Sequence, residues 1–389
     1  MKIAIIGAGI SGLTLANLIQ SDENCNIEFK VFEKRAEIDN QSRGIQLSPN
    51  ATRILNLINL KDLNSSQFFS PKKINFIDLL NGKKITDIDL SLFNKANDPY
   101  LCIERSVLIN FFKKQLPTDS ILFNKKVVKI ENIDNNLKIV NFSDGESFKA
   151  NIIVAADGVF SDIRKHNFKN SVLNFSGFIA FRTEIIASSK INLIDKERIN
   201  VFFGPSCHAV LYPVNRNKDI NFVSIISNNK YKIYADNWQV NEENIIKEFL
   251  QKSKFWWENL TNALKEKKIS LWPIYKVKTF EDWTKNNIIL MGDAAHAMLP
   301  FQAQGAAQSI EDAYNLYENL KKKDLESSLP VYSKTRKKRI SKIEMRTNIN
   351  RYVFHISNKF LKYVRNFLLK KLFENKIFLK IYFKNLFNQ

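Results

Sequence analysis

The chain opens on an uncharged, β-branched run, Ile3-Ala4-Ile5-Ile6, of the kind a central parallel strand covered on both faces needs. Apolar residues from Ile10 to Ile19 suit a buried helix, and Ile27 to Phe32 suits a second strand, which completes a βαβ unit. Two more uncharged runs, Ile152 to Ala155 and Ile288 to Met291, predict further strands of the same sheet. Gly44 to Ala51 reads as a strand entering a helix whose first turn tolerates Pro49. Lys72 to Leu92 alternates about Asn81-Gly82, a hairpin signal. Arg105 to Leu116 reads as helix, and Val127 to Ile130 and Leu137 to Phe142 as strands.

From Val172 to Ile226 strand patterns dominate: Phe178 to Phe181, Ile199 to Phe203, Ala209 to Tyr212 and Phe222 to Ile226. They predict an antiparallel sheet inserted into the nucleotide-binding fold. Helical patterning returns at Glu242 to Leu250 and covers everything after Ser309. The expected fold class is α/β, a Rossmann-like domain (1–71, 98–170, 278–350) with a substrate domain made of a hairpin (72–97) and a sheet (171–277). Residues 351–389 form basic amphipathic C-terminal helices.

At 44% hydrophobic and 25% charged residues the composition is that of an ordinary globular protein. The three scattered cysteines, Cys25, Cys102 and Cys207, exclude a disulfide scaffold and fit a reducing compartment. No apolar run approaches the roughly 18–20 residues of a spanning helix, and the opening glycines argue against a cleaved leader, so a cytoplasmic location is expected. The net charge of +20 is uneven: the 69 residues from Lys321 onward hold 19 Lys or Arg and 4 Asp or Glu.

Three separated motifs carry the chemistry. In Gly7-Ala8-Gly9-Ile10-Ser11-Gly12, Gly7 permits the tight turn, Gly9 lets backbone approach a pyrophosphate, and Gly12 lets helix pack on strand. Glu33 lies 21 residues beyond Gly12, where a carboxylate accepts from ribose hydroxyls. Alone this loop does not separate FAD from NAD. Asp157-Gly158 and Gly292-Asp293 each set an acidic residue at a strand's C-terminal end, suited to a crevice ligand. Asp293 can accept from polyol hydroxyls such as the ribityl chain. Gly305-Ala306-Ala307 then starts a helix whose N-terminus can face a flavin edge that becomes anionic on reduction. The plain alternative for each acidic residue is a helix N-cap. The order and spacing of all three motifs point to FAD.

With these residues the chain resembles the class A flavoprotein aromatic hydroxylases of the para-hydroxybenzoate hydroxylase fold, and within them the salicylate hydroxylase-like monooxygenases. The likeness runs to about residue 355, through Gly44–Ala51, Ile103-Glu104-Arg105, Ala156–Arg164 and, most specifically, Gly292–Ala313. It implies that Arg105 contacts the flavin ribityl or phosphate region, that Asp293 binds the ribityl chain, and that Asp157 serves FAD and a transient nicotinamide. Lys34, Gly44 and Val128 are further candidate cofactor-binding residues, and Arg43 is a candidate for contact at the flavin or substrate entrance. Ser42-Arg43 and Thr183 depart from the family pattern, which leaves the substrate's identity open. No second Gly-rich loop is present, so NADH or NADPH would dock without a Rossmann site of its own.

The activity so implied is NAD(P)H reduction of FAD, formation of a flavin C4a-hydroperoxide from O2, and hydroxylation of a small aromatic acid, salicylate or another hydroxybenzoate. The ring must react as a phenolate, and His208 is the candidate base because imidazole titrates near neutrality. Phe181, Phe203, Trp272, Pro300 and Phe301 are candidate apolar walls of the substrate pocket. His296 is assigned a structural role, and His166 and His355 none. No metal ligands are expected.

Two other functions compete: a membrane-associated quinone-precursor hydroxylase, and a non-catalytic basic binding module on the same fold. A flavin halogenase is disfavoured, because adjacent Trp256-Trp257 lack that group's spaced tryptophans. In the tail, Phe360, Leu361, Val364, Phe367, Leu368 and Leu372 recur at helical spacing among lysines. They read first as a stripe packing on the chain's own domain or on a second copy. An interfacial helix on an anionic membrane comes second, and a nucleic-acid arm last, since no nucleic-acid module accompanies it.

Overall fold

The computed structural model describes residues 1–38, 43–94, 97–134, 137–183, 185–187, 189, 194–227, 269–280, 282–322 and 324–387. The expected helix at 242–250 and the Trp256-Trp257 pair lie outside them.

Strand Lys2–Ile6 sits inside a six-stranded sheet, paired in parallel with Glu28–Phe32 on one side and Ile152–Ala155 on the other. Ile288–Leu290 extends the sheet in parallel beyond Ile152–Ala155, and Ile121–Leu122 extends it beyond Glu28–Phe32. Ile3, Ile5, Val154, Ala155, Ile289 and Leu290 are fully buried, as strands covered on both faces must be. The three cofactor motifs therefore leave neighbouring strands at the same C-terminal edge, where open α/β sheets bind ligands.

A seven-stranded sheet forms the second layer. Its order runs Ile269–Thr279, Ser171–Thr183, Ile220–Ser227, Cys207–Pro213, Ile199–Gly204, Lys73–Asp78, Lys84–Asp89. Every pairing is antiparallel except that of Ile199–Gly204 with Lys73–Asp78, by which the 72–97 hairpin joins the sheet. Phe203 and His208 stand directly opposite each other on adjacent strands of it.

Helix Gly305–Leu320 packs on the nucleotide-binding helix Ile10–Gln20, and the long helix Leu325–Phe354 follows it. Helices Lys359–Glu374 and Lys376–Phe387 then lie against the hairpin end of the second sheet. Lys362 Nζ reaches Asp78 at 2.5 Å, Phe373 meets Phe76 at 5.3 Å between ring centres, and Arg339 donates to the Leu386 carbonyl at 2.6 Å. The tail thus packs on its own chain, but through only a minor part of its marked stripe, half-buried Val364 and the inward edge of Leu372. Phe360, Leu361, Phe367 and Leu368 face solvent, whereas Arg365 is buried, donating to the Val353 carbonyl with its guanidinium over Phe203.

Candidate active site

The three motifs meet in space. A Cβ built on Gly7 (φ +109°) would lie 2.4 Å from the Ala156 carbonyl oxygen, and one on Gly12 would lie 2.1 Å from the Gly7 oxygen, so both glycines are required by close backbone approach. Glu33 accepts from the Ala8 N–H at 3.0 Å, bringing its carboxylate to the glycine loop. A Cβ on Gly292 would meet Ser11 Oγ at 2.8 Å, so the third motif abuts the first. Buried Arg164 ties the second motif to the third by donating to the Ala294 carbonyl at 2.8 Å.

Gly9 and Gly305 differ from these. A Cβ on either meets no heavy atom within 4 Å, so no protein contact excludes a side chain there. Both open helices without a side-chain cap, and the free N–H groups of such helix starts attract anions. Asp157 Oδ1 is buried with no hydrogen-bond partner; burial raises its carboxyl above the usual range, with the Ser161 hydroxyl opposing. The Asp293 side chain is open to solvent between the buried residues Gly292 and Ala294. Desolvation by the surrounding protein raises its carboxyl, with His296 and Arg105 opposing and Asp312 adding. Open space at two helix starts, the unpaired Asp157 Oδ1 and the solvent-open Asp293 carboxylate fit a dinucleotide with hydroxyls to donate, as FAD has.

The other predicted cofactor residues surround this cleft unevenly. Arg105, first residue of helix Arg105–Lys114, acts electrostatically on Asp293, and its N–H donates to the Arg43 carbonyl at 2.7 Å. Arg43 lays its guanidinium 4.3 Å from the Trp272 ring centre. Gly44 has a reason within the protein: its N–H donates to Asn221 Oδ1 at 2.7 Å, and a Cβ would lie 2.5 Å from Asn221 Cβ. Lys34 is exposed beside Glu33, and Val128 is exposed on strand Val127–Asn132 near Asp162. Ala306 and Ala307 follow Gly305 into the helix.

Beneath the cleft lies a buried ionic network. Arg336 donates to Asp312 Oδ1 and Glu311 Oε2, both at 2.6 Å, and to Gln308 Oε1 at 2.8 Å. Asp312 in turn accepts from the Gly292 N–H at 2.8 Å and from His296 Nε2 at 2.5 Å. His296 is therefore structural, stacked on Trp283 and bracing the turn that presents Asp293. Burial pushes the Asp312 carboxyl up, and His296 and Arg336 more than offset it, leaving it below its usual range. Arg336→Met leaves Glu311 with Arg339 and Asp312 with His296 but removes the cation they share, and is expected to cost about 3 kcal/mol in urea unfolding. A loss under about 1 kcal/mol would mean that the network carries little of the fold's stability.

A cavity of about 310 Å³ lies between the second sheet and the C-terminal helices. Phe203, His208, Pro300 and Phe301 line it, with the polar groups Gln46, Tyr100, Gln302, Gln304 and Asn350. Segment Pro300–Gln304 joins it to Gly305 and hence to the cofactor cleft. Two expectations need correction. Phe181 does not line the cavity: residues alternate along its strand, so Phe178 and Ala180 pack toward Phe301 while Ile179 and Phe181 pack with Phe222 on the opposite face. Trp272 is half-exposed under Arg43, away from the lining.

A third correction concerns His208. Its Nδ1 faces His355 Nε2 at 2.9 Å, and its ring lies 4.9 Å from that of Phe301. Burial, and then His355, push its pKa well below 6.5, so the ring is neutral across neutral pH rather than titrating there. His355 is pushed down to about 3 by burial and the Arg351 charge. It also borders an open surface groove with Ser206 and Ser357, so the pair runs from cavity to surface. His166 stays peripheral, its Nδ1 against the Asp162 carbonyl. No local sequence pattern marks His355, Gln46, Tyr100 or Asn350, because only tertiary packing brings His355 onto His208 and the other three into its cavity.

Comparisons with known proteins agree with this geometry. Residues 1–347 match the family model described as an FAD binding domain. The 6-hydroxynicotinate 3-monooxygenase of Bordetella bronchiseptica is 25% identical over 360 residues, covering 90% of this chain and 92% of that protein. The salicylate hydroxylase of Pseudomonas putida is 24% identical over 338 residues, covering 81% and 76%. The crystal structure of Klebsiella pneumoniae HpxO complexed with FAD and uric acid superposes with a TM-score of 0.83 at 21% identity, over 99% of this chain and 97% of that one. A glycine-loop βαβ unit, two further acidic motifs at the same sheet edge and a match to the family model over nearly the whole chain place this protein among the NAD(P)H- and FAD-dependent aromatic monooxygenases.

Proposed function

We propose that this chain hydroxylates a small aromatic ring that bears a hydroxyl group, with that hydroxyl held at His208. The observation that carries the reading is the placement of His208 and Phe203, facing each other across two strands, in a largely apolar cavity continuous with the Gly305 helix start. Bound FAD, reduced by NAD(P)H, activates O2 and supplies the oxygen atom. Glu33 would hold the adenosine ribose, Gly9 the pyrophosphate, Asp293 the ribityl chain with Arg105 beside it, and Asp157 the cofactor and the passing nicotinamide. Lys34, Gly44 and Val128 would border it, and Arg43 on Trp272 would flank the entrance.

His208 Nδ1 is committed to His355, which leaves Nε2 for a substrate hydroxyl. When Nδ1 carries the shared proton, Nε2 can accept the phenol proton while Nδ1 passes its own to His355 Nε2. The ring becomes an electron-rich phenolate, and the proton leaves toward the surface groove. Phe203, Pro300, Phe301 and the terminal helices exclude water.

Two substrate classes are argued by different observations. The names of the relatives favour a ring acid such as salicylate or another hydroxybenzoate, for which the amides of Gln46, Gln302 and Asn350 offer N–H donors. A neutral, lipophilic phenol of the quinone-precursor kind is favoured by the lining, which among the described residues contains no Arg or Lys to offset a buried carboxylate. Oxidation of NADH and NADPH by FAD-loaded protein, with hydrogen peroxide assayed alongside, separates them. Stimulation by a hydroxybenzoate with little peroxide supports the first class, and by lipophilic phenols alone the second. No stimulation by either would return the chain to a non-catalytic role on this fold. Cytoplasmic residence accords with the free cysteines.

A further inference from the structure

The terminal helices carry a surface that the fold leaves uncovered. Phe360, Tyr363 and Phe367 recur at three- and four-residue spacing, so they share one face of helix Lys359–Glu374, and they are 72%, 73% and 55% exposed. Four residues apart on the next helix, Ile377 and Ile381 are 72% and 58% exposed. Soluble helices turn such residues inward; here the inward side of the first helix is already filled by Arg365, Leu369 and Phe373, and these rings are left outside. Residues 359–387 hold eight Lys or Arg and one Glu; Arg365 is buried and Lys362 pairs with Asp78, which leaves six exposed lysines, Lys359, Lys370, Lys371, Lys376, Lys380 and Lys384, on the same two helices as the exposed rings.

We propose that this face docks on an anionic lipid surface, with the aromatic rings entering the headgroup boundary and the flanking lysines meeting lipid phosphates. Aromatic and aliphatic side chains interspersed with lysine make the composition of an interfacial helix. A second copy is the weaker occupant, because a two-fold interface would press this cationic face against itself. Among the described residues no helix is long and apolar enough to cross a membrane, so the contact is peripheral. The inner sides of the same helices, through Leu369, Phe373, Tyr382 and Phe383, wall the cavity. The cavity and the lipid are thus separated by one layer of helix, which lets a lipophilic ring pass from bilayer to site without crossing water. The docking itself does not depend on which substrate is used.

Co-sedimentation of full-length, FAD-loaded protein with vesicles tests it. The parent is expected to sediment with equimolar phosphatidylcholine and phosphatidylglycerol, to stay in solution with phosphatidylcholine alone, and to be released by added salt. Phe360→Ser with Phe367→Ser removes two rings that touch neither cavity nor cofactor cleft and should lower partitioning about tenfold or more. Lys370→Glu with Lys371→Glu should abolish the preference for the anionic lipid. Unchanged FAD content and melting temperature show that the variants are folded. Absence of parent binding to anionic vesicles, or equal binding by the double serine variant, would overturn the proposal. So would a dimer that dissociates only in that variant, since the face would then belong to a second copy.

Discussion

His208→Asn is expected to leave FAD content and folding intact while product forms about 10²–10⁴-fold more slowly, the usual worth of a positioned base. The side chain is buried between Phe301 and Phe354 with its Nδ1 on His355, so Asn keeps polarity there but offers no imidazole nitrogen to the substrate hydroxyl. The pH profile is part of the result. Because burial holds the His208 pKa well below 6.5, the ring is already neutral at pH 6. Its contribution to turnover stays flat from about pH 6 to 8 and falls only in more acidic solution. Stability follows the same sign: the unfolded chain binds protons that folded His208 and His355 refuse. That contribution is intact above about pH 6.5 and declines as pH drops toward the depressed folded values. Unchanged turnover in the variant, or an activity step near pH 6.5 lost on its introduction, would remove His208 from the assigned role.

Gly9→Val is expected to lower FAD affinity by more than a hundredfold, because its side chain occupies the space through which backbone approaches the pyrophosphate. The free protein should fold nearly as well as the parent, since the first atom added meets nothing within 4 Å. Gly12→Ala makes the contrast: its Cβ would lie 2.1 Å from the Gly7 carbonyl oxygen, so stability falls together with cofactor binding. Flavin fluorescence titration and thermal melts of the free proteins separate the two. Full FAD binding by Gly9→Val would place the pyrophosphate elsewhere.

What was legible in the sequence was what local chain chemistry decides. Uncharged runs such as Ile152 to Ala155 can only be central strands, and glycines beside a close carbonyl cannot be anything else. What sheet parity decides was not legible: Phe181 and Phe178 look alike in sequence, and pairing with neighbouring strands sends them to opposite faces. Periodicity located the apolar stripe of the tail but not the side the fold would use, since that depended on Asp78, Phe76 and Phe203 elsewhere in the chain. His208 was found by type and position, while its protonation state came from a partner 147 residues away. Long-range packing set that electrostatics.

In this reading an oxygen atom from O2 enters a phenolic ring in the cavity at His208. Turnover of FAD-loaded protein under ¹⁸O2, with the stimulating phenol and mass analysis of the product, tests it most directly. One ¹⁸O atom in the ring per NAD(P)H consumed is expected, with loss of that product in His208→Asn. NAD(P)H oxidation that yields only peroxide with every phenol, or ring oxygen drawn from water, would contradict it.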